Sequence, residues 1–218
     1  MDLEVNKPLV DLVNIPIGSR DWEWEKSFFQ ALVNGNVNVM MAEPQTGPDG
    51  WPYMFVETSL EATEPSLKLM QWISERGIGL ALNVQKTQPD FVFSYGMIWS
   101  YRETAQFIVN PGETVTNEIE FQKGESIYAQ NPSEQYLPKY ARAILRKFLE
   151  DQGIKEPKFL LVSQDLKQFD LCFSLESLGN PPKEEHTGIA EALSWFLPTH
   201  YSIVLVSEKA FSKSFFLV

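Results

Sequence analysis

The sequence predicts an α+β protein built from two similar α-β-β-α-β-β units, arranged in tandem or sharing one sheet. Three observations lead there. Segments with helical spacing of apolar residues alternate with short stretches of strand-type alternation. The order helix, strand, strand, helix, strand, strand occurs twice, as an internal duplication would leave it. A stretch holding Pro111, Gly112, Gly124 and Pro132 lies between the two runs, which sets an N-terminal unit at 1–110 and a C-terminal unit at 111–218.

Each element has a local reason. Residues 1–18 show no clear period and contain Pro8, Pro16 and Gly18, so they read as a loop or short edge segment. Ser19 or Asp21 can cap a helix whose first turn holds Glu23 and Glu25, and Gly35 ends it. Asn36 to Val39 alternates as a strand. Pro44 to Pro52 is a loop, and Tyr53 to Glu57 is a second strand completing a hairpin. Pro65 suits a helix start, Leu69, Trp72 and Ile73 share a face, and Gly77 is the stop. Ile78 to Val84 reads as a strand, and the alternation of Phe91, Phe93 and Tyr95 marks another.

In the second half a strand is expected near Ile127 to Ala129. Pro138 opens a helix with Ala141, Ile144, Leu145 and Phe148 on one face, closed by Gly153. Phe159 to Ser163 is a short apolar strand. Leu171, Phe173 and Leu175 alternate with Asp170, Cys172 and Ser174, the pattern of a half-buried strand. After a loop at Gly179 to Pro182, Ile189, Ala192, Leu193, Phe196 and Leu197 line a helix stopped by Pro198. Tyr201 to Val206 and Phe215 to Val218 complete the set as strands, the last tied into the sheet.

Composition narrows the functional classes. The 218 residues carry a net charge of −11, and no block of Lys or Arg is long enough to follow a phosphate backbone. Such a surface repels nucleic acid and anionic membranes, so neither is expected as a partner. A single cysteine, Cys172, excludes an internal disulfide and fits a reducing compartment. The start of the chain lacks the pattern of a secretory signal, no apolar run reaches membrane-span length, and the expected location is cytoplasmic.

Chemistry is sparse. There is no P-loop, no dinucleotide-binding glycine pattern, no nucleophile elbow, no H-E-x-x-H and no C-x-x-C. Gly77-Ile78-Gly79 supplies two glycines at the wrong junction, from a helix into a strand. His186 and His200 sit at opposite ends of one expected helix, about 20 Å apart at 1.5 Å per residue, which speaks against a shared metal. Just past that helix, a cationic His200 would meet the negative dipole end. Asp170 beside Cys172 opposes a thiolate, so the cysteine reads as structural. Glu43 and Glu57 could meet across the first hairpin, but solvated surface charge accounts for them as well. These readings point away from an enzyme and imply no cofactor and no metal.

Aromatic residues give the most distinctive local signal. Five of the six tryptophans fall in the first half, and Tyr95 to Glu103 gathers three aromatics and an Arg around Gly96. Trp, Tyr and Arg are enriched at binding hot spots. Trp51, Tyr95, Trp99, Tyr101 and Arg102 are therefore the candidate contact residues of a binding face. The competing reading is core or hairpin packing, with Gly96 at a bulge.

Tyr136-Leu137-Pro138 runs into the helix at Tyr140 to Gly153 and the strand at Phe159, and Ala192-Leu193-Ser194-Trp195-Phe196-Leu197-Pro198 leads to His200-Tyr201. These stretches resemble the SseB-like (enhanced serine sensitivity) bacterial proteins. So does the order Val37 to Met41, Pro/Gly loop, Tyr53 to Val56 and Pro65 helix. The resemblance spans most of the chain. It implies a two-domain α+β layout in a cytoplasmic bacterial protein with a regulatory or interaction role and no agreed catalytic residues. The combined expectation is a non-catalytic protein whose partner is another protein. The alternatives are an enzyme or small-molecule binder without a linear motif, and an acidic, chaperone-like binder of a basic partner.

Overall fold

The computed structural model describes residues 3–109 and 127–218. The fold is α+β, and the chain divides into two compact units, Met1–Phe107 and Ile108–Val218, each with its own sheet. Most of the expected Pro- and Gly-bearing boundary, residues 110–126, lies outside the described residues.

The first unit opens with a helix that the sequence reading missed, α1 (Leu3–Val13). Its inward stripe is Asn6, Leu9 and Val13, all buried. Asn6 hides the apolar period, and Pro8 inside the helix disguises it further. The polar side chain is satisfied: Asn6 Nδ2 donates to the carbonyls of Leu60 (3.1 Å) and Ala62 (2.8 Å), and its Oδ1 accepts from Asn36 N (2.9 Å). Helix α2 (Trp22–Asn34) is capped by Asp21, which accepts from Trp24 N at 2.9 Å, and it buries Trp24, Phe28 and Leu32.

Strands β1 (Asn36–Val39) and β3 (Pro52–Glu57) pair antiparallel as expected, with Asn38 opposite Glu57. The loop between them contains a short strand, β2 (Gln45–Thr46), on β3. A two-residue strand β4 (Glu64–Pro65) pairs with β1 and leads into α3 (Ser66–Ser74). Helix α3 returns the chain to β5 (Gly79–Leu82), parallel to β3, and β5 turns back antiparallel into β6 (Phe91–Phe93). The sheet order is β4-β1-β3-β5-β6. Every residue of β5 is buried, because a parallel strand in this position is covered on both faces.

The strand expected through Tyr95 stops at Phe93. Ser94 instead caps α4 (Tyr95–Thr104), its Oγ accepting from Met97 N at 3.3 Å, so Gly96 lies within a helix and not at a bulge. Rings of Trp24, Phe28, Phe29, Phe91, Phe93 and Phe107 form one packed cluster with neighbouring centroids 4.5–6.3 Å apart.

A buried ion cluster joins the end of α1 to the β5–β6 loop. The Asp90 side chain is 1% exposed. It accepts from Arg20 Nη2 (2.6 Å), Lys86 Nζ (2.6 Å) and Asn83 Nδ2 (2.5 Å). Arg20 also donates to the carbonyls of Ile15, Val13 and Asp90 while its guanidinium lies 4.6 Å from the Trp24 ring centre. Lys86 Nζ and Trp24 Nε1 reach the Val13 and Leu12 carbonyls. Asn83 takes a left-handed backbone (φ 56°), and its Oδ1 accepts from Thr58 N at 2.9 Å.

The second unit carries β7 (Tyr128–Gln130), α5 (Lys139–Asp151), β8 (Lys158–Ser163), β9 (Asp170–Ser174), α6 (His186–Trp195), β10 (Ser202–Val206) and β11 (Phe216–Leu217). The sheet order is β10-β9-β8-β11, with β7 also on β8. The β8–β9 pair is antiparallel, and α6 carries the chain to β10, parallel to β9. Strand β9 is not half-buried as its alternation predicts: Leu171, Cys172, Phe173 and Ser174 are all buried. On one face of the sheet, the Arg142 guanidinium of α5 sits 5.2 Å from the ring centre of Phe159 on β8. The other is a cluster of Leu160, Val162, Cys172, Val204 and Phe215, with Ile127, Ala129, Val206 and Phe211 against it.

Both units thus place a parallel strand beside an antiparallel pair, reached through a helix. Their last strands dock differently: β6 lies beside the parallel strand β5, whereas β11 lies beside the first strand of its pair, β8. The two sheets are separate.

Burial pushes the Asp90 carboxyl up, but hydrogen bonds from Lys86, Arg20 and Asn83 outweigh it and hold the group below its ordinary value of 3.8. A depressed folded-state value means that the contribution of Asp90 to stability is complete above about pH 4 and is lost as the pH falls through the folded value. Asp90→Ala leaves two cations without their anion. We expect it to lower stability by roughly 3–5 kcal/mol in urea titrations and to flatten the acid limb of the stability–pH curve; an unchanged acid limb would contradict this.

Candidate functional site

The structure disperses the aromatic contact face expected from the sequence. Tyr95 is fully buried and its hydroxyl donates to the Ser74 carbonyl at 2.8 Å; Trp99 is 2% exposed. Tyr101 is half-buried and stacks on Phe107, with ring centres 4.4 Å apart. Arg102 donates to Ser74 Oγ (3.1 Å) and Glu75 Oε1 (2.9 Å), which fastens α4 to the end of α3. Trp51 is half-buried on a separate element, the turn entering β3, where its N–H donates to Asp49 Oδ1 at 3.2 Å. Tyr95 and Trp99 are core residues, so these five side chains do not form an exposed patch. Aromatic content cannot separate core from interface, because both want a large apolar body with one polar handle.

The groups with chemical potential are committed to the fold. Cys172 is buried, and burial together with the nearby Asp170 carboxylate pushes its thiol up to about 12. His186 begins α6, with its Nε2 3.1 Å from the Pro181 carbonyl. His200 follows α6, but burial lowers its pKa and favours the neutral ring, so the cationic, dipole-facing role expected for it is corrected. Glu57 lies opposite Asn38, not opposite Glu43, which follows the end of β1. Among the described residues no group of three or more His, Cys, Asp or Glu is placed to hold a metal.

Among the described residues, each unit carries a well-formed concave surface. The first, about 630 Å³, is an open groove of mixed polar and apolar character beside the Asp90 cluster, lined by Ile17, Arg20, Asp21, Trp22, Trp24, Glu25, Gln88, Pro89 and Asp90. Burial raises the Glu25 carboxyl above its ordinary value.

The second, about 410 Å³, lies between α5 and α6. Leu149, Leu178 and Leu193 form its buried floor. Phe148, Ile154, Ile189 and Ala192 are half-buried walls, and Gln152, Glu184, Glu185 and Gly188 are its exposed rim. The chain shapes this groove locally. Gly153 takes a left-handed turn (φ 86°) that ends α5 and swings Ile154 back beneath it. Gly188 and Ala192, one turn apart on α6, keep the opposite wall low. A Cβ on Gly188 would meet nothing within 4 Å, so internal packing does not demand glycine there. A helical glycine costs up to about 1 kcal/mol relative to alanine.

The sequence places Ile189, Ala192 and Leu193 on one helix face, with Phe196 and Leu197, and does not mark that face as a groove. The signal available was Gly188, a helix breaker inside an apolar-periodic stretch.

No protein-family model, curated protein or solved structure matches this chain. Among the described residues, no helix is long and apolar enough to cross a membrane.

A thiol held at about 12 and buried in the sheet should resist alkylation. Iodoacetamide at pH 8 is expected to leave Cys172 unmodified in the native protein and to label it fully in urea, as read by intact mass. Rapid native labelling would place the cysteine in an open site.

Proposed function

We propose that this chain is a non-catalytic interaction or regulatory protein whose partner is another protein, and that the groove between α5 and α6 is its contact surface. The observation that carries this reading is the composition of the groove: an apolar floor and walls opening onto a charged rim. Binding sites on proteins typically pair an apolar concavity with a few polar groups at its edge. The groups best suited to acid–base or nucleophilic work support the same reading. Asp90 is saturated by three donors, and Cys172 is held as a neutral thiol. The likeness to SseB-like proteins belongs to this proposal. Two of the stretches that carry it, both in the second unit, lie side by side, with Tyr136 stacked on Tyr201 at 4.4 Å. The lone cysteine and the net charge of −11 support the further reading of a cytoplasmic location without a nucleic-acid partner.

A second reading, a small-molecule binder or an enzyme, draws on Glu25, a half-buried carboxylate next to exposed Trp22 in the first groove. It predicts that a cationic small molecule raises the melting temperature of the wild type and not of Glu25→Gln.

The groove reading is tested by affinity capture from lysate of the source cell at moderate salt, with wild type and Ile189→Asp side by side. Ile189 is half-buried at the wall, so the substitution leaves the fold intact by circular dichroism and puts a charge into the apolar surface. A stoichiometric partner held by the wild type and lost by the variant is the expected result. A partner held equally by both would remove the groove from the proposal.

A further inference from the structure

The charge on the rim of the second groove narrows its occupant. Glu184 and Glu185 both line the groove, and among the described residues no basic side chain does. Both are exposed, and among the described residues neither takes part in an ion pair. The two carboxylates favour the start of the helical stretch that becomes α6, and they leave their outward side open to a cation. A second copy of this chain, with its net charge of −11, is disfavoured by like-charge repulsion.

Shape adds to charge. Gly188 and Ala192 present a low stripe along the groove, and open space lies where a Gly188 side chain would stand. A helix backbone can approach closely over small residues one turn apart. Its own apolar side chains, three or four residues apart, would then drop between Phe148 and Ile189 onto the leucine floor. Resting on the groove reading above, we propose that the occupant is a short amphipathic helix of a basic partner protein. Its apolar face enters between α5 and α6, and a Lys or Arg next to that face pairs with Glu184 and Glu185.

The probe is a fluorescein-labelled Leu/Lys amphipathic peptide of about 18 residues, five helical turns, with its Leu/Glu counterpart as control. Binding to the full chain is followed by fluorescence anisotropy at about 0.05 M and about 0.2 M salt, which brackets the physiological screening length. Gly188→Leu fills the groove with a better helix former where a Cβ meets no neighbour, so it tests the site without threatening the fold. The Lys peptide is expected to bind the wild type and the Glu peptide not to bind. Gly188→Leu should weaken the Lys peptide at least about tenfold at both salts. The double substitution Glu184→Gln, Glu185→Gln should weaken it at least about tenfold at low salt and remove much of the salt dependence.

Equal binding of the two peptides, or wild-type affinity in Gly188→Leu, overturns the proposal. If the Lys peptide fails while the captured partner is still lost on Ile189→Asp, the groove stands and the basic-helix occupant falls. If capture is indifferent to Ile189→Asp, the groove reading itself has failed.

Discussion

A buried carboxylate sets the terms for the first unit. Asp90 has almost no solvent to stabilise its charge, so the fold must bring donors to it. Those donors come from separate places in the chain: Arg20 from the link between α1 and α2, Asn83 from the end of β5, and Lys86 from the loop that follows. Each donor has a second task. Arg20 and Lys86 reach the last carbonyls of α1, which the helix leaves without partners, and Asn83 fixes the backbone after β3 through Thr58. Charge compensation, helix capping and loop closure are therefore one network. Removing one member disturbs all three, and this coupling gives the cluster greater weight than a surface pair such as Lys26 with Glu23.

The second unit reaches order by a different route. Strand β9 is central and parallel to β10, and both of its faces are covered. Arg142 of α5 reaches one face of the sheet at Phe159 of β8, and the segment returning from β10 through Phe211 and Phe215 packs on the Cys172 side of the other. Strands β7 and β11 share the outer edge of β8, one pairing with Leu161 to Ser163 and the other with Lys158 and Phe159. Two very short strands in place of one long one leave little continuous edge for another chain to extend. Exposed Tyr128, Phe216 and Leu217 lie on these short edge strands, and a separate apolar concavity lies between α5 and α6.

Much of the fold was legible in the sequence. Asp21 and Gly35 mark the ends of α2, the strands at β1, β3, β8 and β10 follow their apolar patterns, and Pro198 stops the stretch that follows α6. What was hidden has specific causes. The buried stripe of α1 includes Asn6, and its hydrogen bonds to three backbone groups do work that a sequence period assigns to a leucine. The start of α4 turns on whether Ser94 caps a helix or continues a strand, and an alternation of three aromatics is silent on that choice. For β9, alternation reports on side-chain polarity, whereas burial of Cys172 depends on a segment some forty residues later that packs over it.

The candidate site was the least legible part, and the reason lies in what makes a binding surface. Trp99 and Tyr95 have the composition of a hot spot and are core, because the same large apolar bodies serve either purpose. The groove between α5 and α6 is built in the opposite sense. It depends on side chains that are small, at Gly188 and Ala192, and on charges with no cation facing them, at Glu184 and Glu185. A missing side chain has no periodicity, and an unpaired charge looks like any solvated one until its neighbours are placed. A glycine that no internal contact requires stands beside carboxylates that no described cation neutralises, and together they edge an apolar concavity that only the folded chain brings into view.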